Sequence, residues 1–216
     1  MILLAGNFAL KYIGHSYFSD SFLKIGSPGF WLLIINSLFI SGILILNKSA
    51  FGWSWSEIGL SKPNKWWVPV ISAAAAFTTI VLLAIFVKPL IEQHTTDPDI
   101  SHLLIINQNL PVFLLALVLV WITSAFLQEL VFRSFFINSL DILLGRNRSS
   151  PWIAVVISSI VFGLMHAWQG LGGIILTTLI GFVLGITYLF NGRRIWSLVV
   201  VKGALDTITL VTLYSA

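Results

Sequence analysis

Gln128-Glu129-Leu130-Val131-Phe132-Arg133 interrupts an apolar run that starts at Leu110 and carries no charge until Glu129. A carboxylate and a guanidinium then appear four residues apart. On a helix this spacing puts Glu129 and Arg133 on one face, a turn apart. Each charge placed in hydrocarbon costs roughly 2.5–3.5 kcal/mol even on lenient insertion scales. A segment that keeps two of them is expected to do more than cross a membrane.

Composition puts the stretch in that setting. The chain has 216 residues, 57% hydrophobic and 9% charged, with a mean hydropathy of +0.97. Soluble domains carry about 25% charged residues. The expectation is a multi-pass, all-α transmembrane bundle of about six to eight helices in a cell membrane, one domain over residues 1–216. There is no cysteine, which excludes disulfides, Cys-ligated zinc and a thiol nucleophile. The formal net charge of +4 and the pI near 9.6 do not indicate nucleic acid, because the basic residues are scattered among short loops. The start, Met1 to Ile13, is apolar but has neither a basic flank nor a small-residue cleavage site, so a secretory signal is not expected.

A span needs about 20 apolar residues. Phe30–Leu46, Trp66–Val87, Pro151–Trp168 and Ile195–Tyr214 fit, as does Leu171–Phe190 despite its glycines. Pro111–Leu144 is too long for one upright crossing and reads as a long tilted helix or as two helices meeting near Gln128. Residues 1–13, continuing toward Phe22, form a further short element. The loops 47–65, 145–150 and 191–194 are basic, whereas 88–110 holds Glu92, Asp97 and Asp99 against Lys88. The positive-inside rule puts the basic loops on the cytoplasmic side and 88–110 with the C-terminus on the other. Trp31, Trp66, Trp67, Trp152, Trp168 and Trp196 fall at span ends, where an indole prefers the interface. Ala73–Ala76 is a small-residue patch of the kind that packs helices.

Four charges lie well inside apolar segments: Glu129, Arg133, Lys202 and Asp206. They form two i,i+4 pairs of opposite sign. His166, in Phe162-Gly163-Leu164-Met165-His166, is the other strongly polar residue at depth. One such pair can merely neutralise itself or staple two helices, and a single histidine is more often a packing residue. Two pairs and a histidine on three spans favour a shared buried site. Gly163, Gly170, Gly172 and Gly173 permit close approach and irregular backbone around His166.

Glu129-x-x-x-Arg133, Phe162-x-x-x-His166 and position 202-x-x-x-Asp206, in this order on successive spans, resemble the CAAX protease and bacteriocin-processing (CPBP, or Abi) family of glutamate-type intramembrane metalloendopeptidases. Ala125-Phe126, Gln169-Gly170 and Asp206-Thr207 read like family context. The resemblance covers roughly Pro111 to Tyr214. It implies hydrolysis of membrane-associated or prenylated peptide substrates, with a zinc ion as cofactor. It also implies that a leading glutamate activates water while two histidines and an Asn or Asp hold that water or the metal. Carried over, Glu129 and Arg133 are the supporting pair, His166 is the second-motif histidine and Asp206 the last polar position. His166 and Asp206 are the metal ligands where a metal binds.

Two positions depart from the pattern. The leading glutamate is Gln128, whose amide cannot act as a base. The third-motif histidine is Lys202, which near two carboxylates is expected to stay protonated and then has no lone pair for a metal. With neutral histidines the family set sums to −2, whereas Gln128, Glu129, Arg133, His166, Lys202 and Asp206 sum to zero. This suggests that Lys202 takes the place of the metal's charge by pairing Asp206 or Glu129.

The favoured reading is a protease-like protein that keeps fold and groove but is catalytically impaired. The alternatives are an active endopeptidase rearranged around Glu129, His166 and Asp206, and a small transporter or proton relay. The partners expected are the lipid bilayer and a membrane-associated protein or peptide. One depth mismatch stands out. Glu129 falls near mid-span and His166 near a span end, so they meet only if the bundle tilts or residues 169–173 dip into the membrane.

Overall fold

The computed structural model describes Gly42 and residues 52–63, 65–95 and 101–216. The predicted span Phe30–Leu46 and the short element over residues 1–22 lie outside the described residues. Among the described residues all regular structure is helical. Four helices are long and apolar enough to cross a membrane: α1 (Trp67–Glu92), α2 (Leu110–Leu143), α4 (Gly170–Phe190) and α5 (Trp196–Ser215). Between them lies the shorter apolar α3 (Ser150–Leu164).

The helix starts follow from local chemistry. Asn109 caps α2, its Oδ1 accepting the Val112 N–H at 3.4 Å, and Pro111 occupies the first turn, where its missing N–H costs nothing. Asn147 Oδ1 accepts from the N–H groups of Ser149 and Ser150 at 2.9 and 3.0 Å ahead of Pro151 and α3. In α1, the turn Leu83–Val87 widens to i→i+5 bonding just ahead of Pro89, whose ring cannot tolerate the ordinary carbonyl beneath it.

The stretch that allowed one helix or two is a single helix. α2 runs 34 residues, on the order of 50 Å at the usual rise per residue, against a hydrocarbon core of about 30 Å. It must tilt. The α3 span differs from the predicted Pro151–Trp168. It stops at Leu164, and His166 lies in the turn that follows, with φ −101° and ψ 17°. Gly170, at φ 74°, reverses the chain and α4 begins at once. Residues 170–173 are therefore the first turn of a helix rather than a re-entrant dip.

α3 and α4 pack tightly because Gly163 has no side chain. A Cβ there would meet the backbone oxygen of Ile174 at 2.7 Å and also overlap the Thr178 hydroxyl. The buried core runs through Ala76, Ala125, Ile137, Val155, Leu184, Leu198 and Val201, drawn from all five described helices.

The three basic loops come together at one end, as the charge pattern predicts. The Arg193 guanidinium bonds Asp141 at 2.6 Å and Asn138 at 2.8 Å. Asn138 Nδ2 donates to the Glu57 carbonyl at 2.8 Å and to the Tyr188 hydroxyl at 3.0 Å. The Ile195 N–H donates to the Gly59 carbonyl at 3.1 Å, and the Ser150 hydroxyl donates to Asp141. At the opposite end the Gln108 N–H donates to the Tyr214 carbonyl at 3.0 Å, joining the start of α2 to the end of α5.

Candidate functional site

The backbone of α2 is irregular where the charges sit. Val120–Leu127 and Leu130–Ile137 are wound with i→i+5 bonds, and Gln128-Glu129 lies between them. The Gln128 N–H reaches back to the Thr123 carbonyl. Such wide turns are rare and concentrate at functional sites.

Glu129 and Arg133 form the expected pair, Arg133 Nε lying 3.2 Å from Glu129 Oε2, with side chains 0% and 1% exposed. The carboxylate is paired without being hydrogen-bonded: both its oxygens lack a hydrogen-bond partner among the described residues, as does Arg133 Nη1. Arg133 Nη2 donates to the Gly181 carbonyl on α4 at 3.3 Å, tying the pair across the bundle.

Phe162 is the hub of the site. Its ring is 2% exposed. The Arg133 guanidinium carbon lies 4.6 Å from the ring centroid and Lys202 Nζ lies 5.2 Å from it. The His166 ring, one turn further along the chain, is 4.8 Å away, and His166 Nδ1 is 2.8 Å from the Phe162 carbonyl. One aromatic ring thus gathers two cations and a histidine from three elements, and cation–π attraction is strongest where water is excluded. The motif histidine reaches the cluster by this aromatic link.

Lys202 lies on α5, 9% exposed. Its ammonium donates to Ser124 Oγ on α2 at 3.0 Å. This corrects the expected pairing with Asp206 or Glu129, since among the described residues no carboxylate lies within ion-pair distance of Lys202. Helical side chains lean toward the helix start, so the lysine stem points away from Asp206, a turn further on, and toward α2. Glu129, Arg133 and Asp206 do lie within electrostatic reach of the ammonium. Asp206 Oδ2 and Gln128 Oε1 are buried without a hydrogen-bond partner among the described residues.

Of the six predicted positions, Glu129, Arg133, His166 and Lys202 are linked through the ion pair and the Phe162 ring, Asp206 lies within electrostatic reach of Glu129 and Lys202, and Gln128 adjoins Glu129 on α2. Ser124 and the anchoring ring of Phe162 were not among them. Ser124 stands four residues before Gln128 on the same helix, a spacing that would have indicated a shared face. Trp121 fixes the register beside it, donating from Nε1 to Thr207 Oγ1 at 3.1 Å.

The residues do not fit the zinc ion implied by the resemblance. A catalytic zinc needs three protein ligands with free lone pairs. Here Glu129 faces Arg133 and a protonated Lys202 has no lone pair, which leaves only His166, through Nε2, and Asp206 as candidate ligands. Among the described residues no three His, Cys, Asp or Glu side chains gather as a metal-holding group.

Residues 110–208, which span α2 through most of α5, match the family model described as type II CAAX prenyl endopeptidase Rce1-like. This core resembles the Rce1-like family. The four membrane-capable helices and the similarity to a membrane-embedded family make the chain an integral membrane protein with the lipid bilayer as its surroundings. The matched segment holds all six polar positions and Ser124. Neither a curated protein nor a solved structure matches the chain.

Proposed function

We propose that this chain is an Rce1-like protein in which the family's glutamate-driven, metal-assisted hydrolysis is impaired, and that it keeps the buried polar centre as a binding site for membrane-associated peptide segments in the cell membrane. The carrying observation is the state of the two altered positions. Gln128 offers an amide where a water-activating carboxylate is required. Lys202 fills the histidine position with an ammonium held between Ser124 and the Phe162 ring. The remaining central carboxylate, Glu129, is compensated by Arg133. What remains at the centre is a set of groups without a hydrogen-bond partner among the described residues, Gln128 Oε1, Asp206 Oδ2 and Arg133 Nη1. Acceptors and donors of this kind bind a peptide backbone, and buried polar groups left unmade cost about 1–3 kcal/mol each, which favours an occupant.

The test is a cleavage assay on a prenylated peptide with and without a metal chelator. The natural chain is expected to show no chelator-sensitive cleavage, and Gln128→Glu combined with Lys202→His is expected to show it. Chelator-sensitive cleavage by the natural chain that is lost in Glu129→Gln would instead establish a working site built on Glu129, His166 and Asp206.

A further inference from the structure

We propose that Ser124 and Lys202 form a serine–lysine nucleophilic pair, a second centre able to attack an amide, ester or thioester carbonyl within the membrane. The bond between Ser124 Oγ and Lys202 Nζ, 3.0 Å long, joins residues 78 apart on two helices. Its geometry meets the first requirement of an activated nucleophile, a hydroxyl within hydrogen-bond reach of a nitrogen base. Serine paired with lysine is an established variant of the serine–base theme.

The surroundings hold the pair in register. The Trp121 ring packs on Gly203, the residue after Lys202, so closely that a Cβ there would lie 2.6 Å from ring carbon Cζ3. The indole also bonds Thr207. Ser124 is three residues from Trp121, so the contact that locks α2 against α5 also sets the distance from hydroxyl to amine. Lys202 is buried, and it hydrogen-bonds a neutral hydroxyl rather than a carboxylate. The charged groups facing it are Asp206 on its own helix and Glu129 and Arg133 on α2. Gln128, one turn beyond Ser124, brings a side-chain amide whose N–H groups suit a developing oxyanion.

The chemistry balances without a metal. With one proton removed from the ammonium, the bond reverses and the Ser124 hydroxyl donates to the amine lone pair. Oγ then bonds the carbonyl carbon as its proton passes to Nζ. Collapse of the tetrahedral adduct breaks the bond to the leaving amine, alcohol or thiol and returns that proton to it. Water hydrolyses the acyl-serine by the same relay. This reaction differs from the impaired family chemistry, which needs a glutamate at position 128 and a metal rather than the Ser124 hydroxyl.

The full chain in detergent, treated with a fluorophosphonate serine probe and followed by intact mass, tests the pair. Attack forms the Oγ–P bond and releases fluoride with the hydroxyl proton. A single adduct, mapped to Ser124 and formed equally with and without chelator, is expected. Ser124→Ala should abolish it, and Lys202→Arg should slow it at least tenfold while holding the melting temperature near that of the natural chain. Arginine preserves charge and bond but supplies no base, so a merely structural lysine would leave labelling unchanged. Absence of an adduct, an adduct on another serine, or undiminished labelling in Lys202→Arg overturns the pair. Labelling is unaffected by whether chelator-sensitive cleavage occurs, so the two proposals fail separately.

Discussion

Trp121 lies against the bare α-carbon of Gly203, and a Cβ at that position would stand 2.6–2.7 Å from three atoms of its ring. The ring is rigid and is fixed further by its bond to Thr207, so it cannot yield as a flexible chain end would. Gly203→Ala is therefore expected to push α5 from α2 and to lower stability by about 1–3 kcal/mol, the usual cost of overpacking. Trp121→Leu in the same background should recover part of that loss. Thermal unfolding in detergent checks both, and equal melting temperatures for natural chain and Gly203→Ala would contradict the contact.

Arg193 and Asp141 close the basic end of the bundle at 2.6 Å, with side chains 38% and 6% exposed. Arg193 also has φ 59°, a conformation that costs a residue with a side chain roughly 1–2 kcal/mol. Arg193→Ala removes the bonds and keeps the strain, whereas Arg193→Gly removes both. The glycine variant should thus be the more stable of the two by about 1 kcal/mol, although both fall below the natural chain. Chemical denaturation of the two variants measures the difference, and an alanine variant as stable as the glycine one would contradict the strain.

The helices were legible because hydrocarbon demands long apolar runs, and the grouping of loops because charge marks the ends of spans. The continuity of α2 through Gln128 was not, since widened turns leave no mark in an apolar pattern. Lys202 was misassigned for a directional reason. Sequence spacing places it a turn from Asp206, but the lean of helical side chains carries it toward Ser124. Phe162 was visible only as a motif letter, because its role as a shared platform depends on three elements meeting. Asp141 drew no notice in the sequence, and only the fold shows that it receives Ser150 and Arg193.

Glu57 gives the chain an acid-sensitive loop. Its carboxylate accepts the Ser54 N–H at 2.6 Å and the Ser54 hydroxyl at 2.7 Å. The backbone bond, followed by the hydroxyl, holds its pKa below the ordinary 4.5. A carboxylate with a depressed folded-state value adds stability above its unfolded value and loses that contribution as pH falls through the folded one. The contribution is therefore complete above about pH 5 and fades below 4.5. Melting temperatures from pH 7 to 3 should fall less steeply for Glu57→Gln than for the natural chain. Parallel curves would show that the loop contributes nothing.

Glu129 and Arg133 are the charges on which the site is built, and their burial makes each depend on the other. Breaking a buried pair from one side leaves an uncompensated charge and costs about 3–5 kcal/mol, whereas removing both charges together is far milder. Glu129→Gln is expected to lose stability on that scale, because the guanidinium would keep only the Gly181 carbonyl and the Phe162 face as partners. Arg133→Met should lose as much, since it leaves a carboxylate whose oxygens have no hydrogen bond among the described residues. The combined variant should recover at least half of the larger single loss. A double-mutant cycle on unfolding in detergent reads this coupling directly. Additive losses would mean that the two charges are held independently, and the pair would then not be the neutral unit on which the polar centre rests.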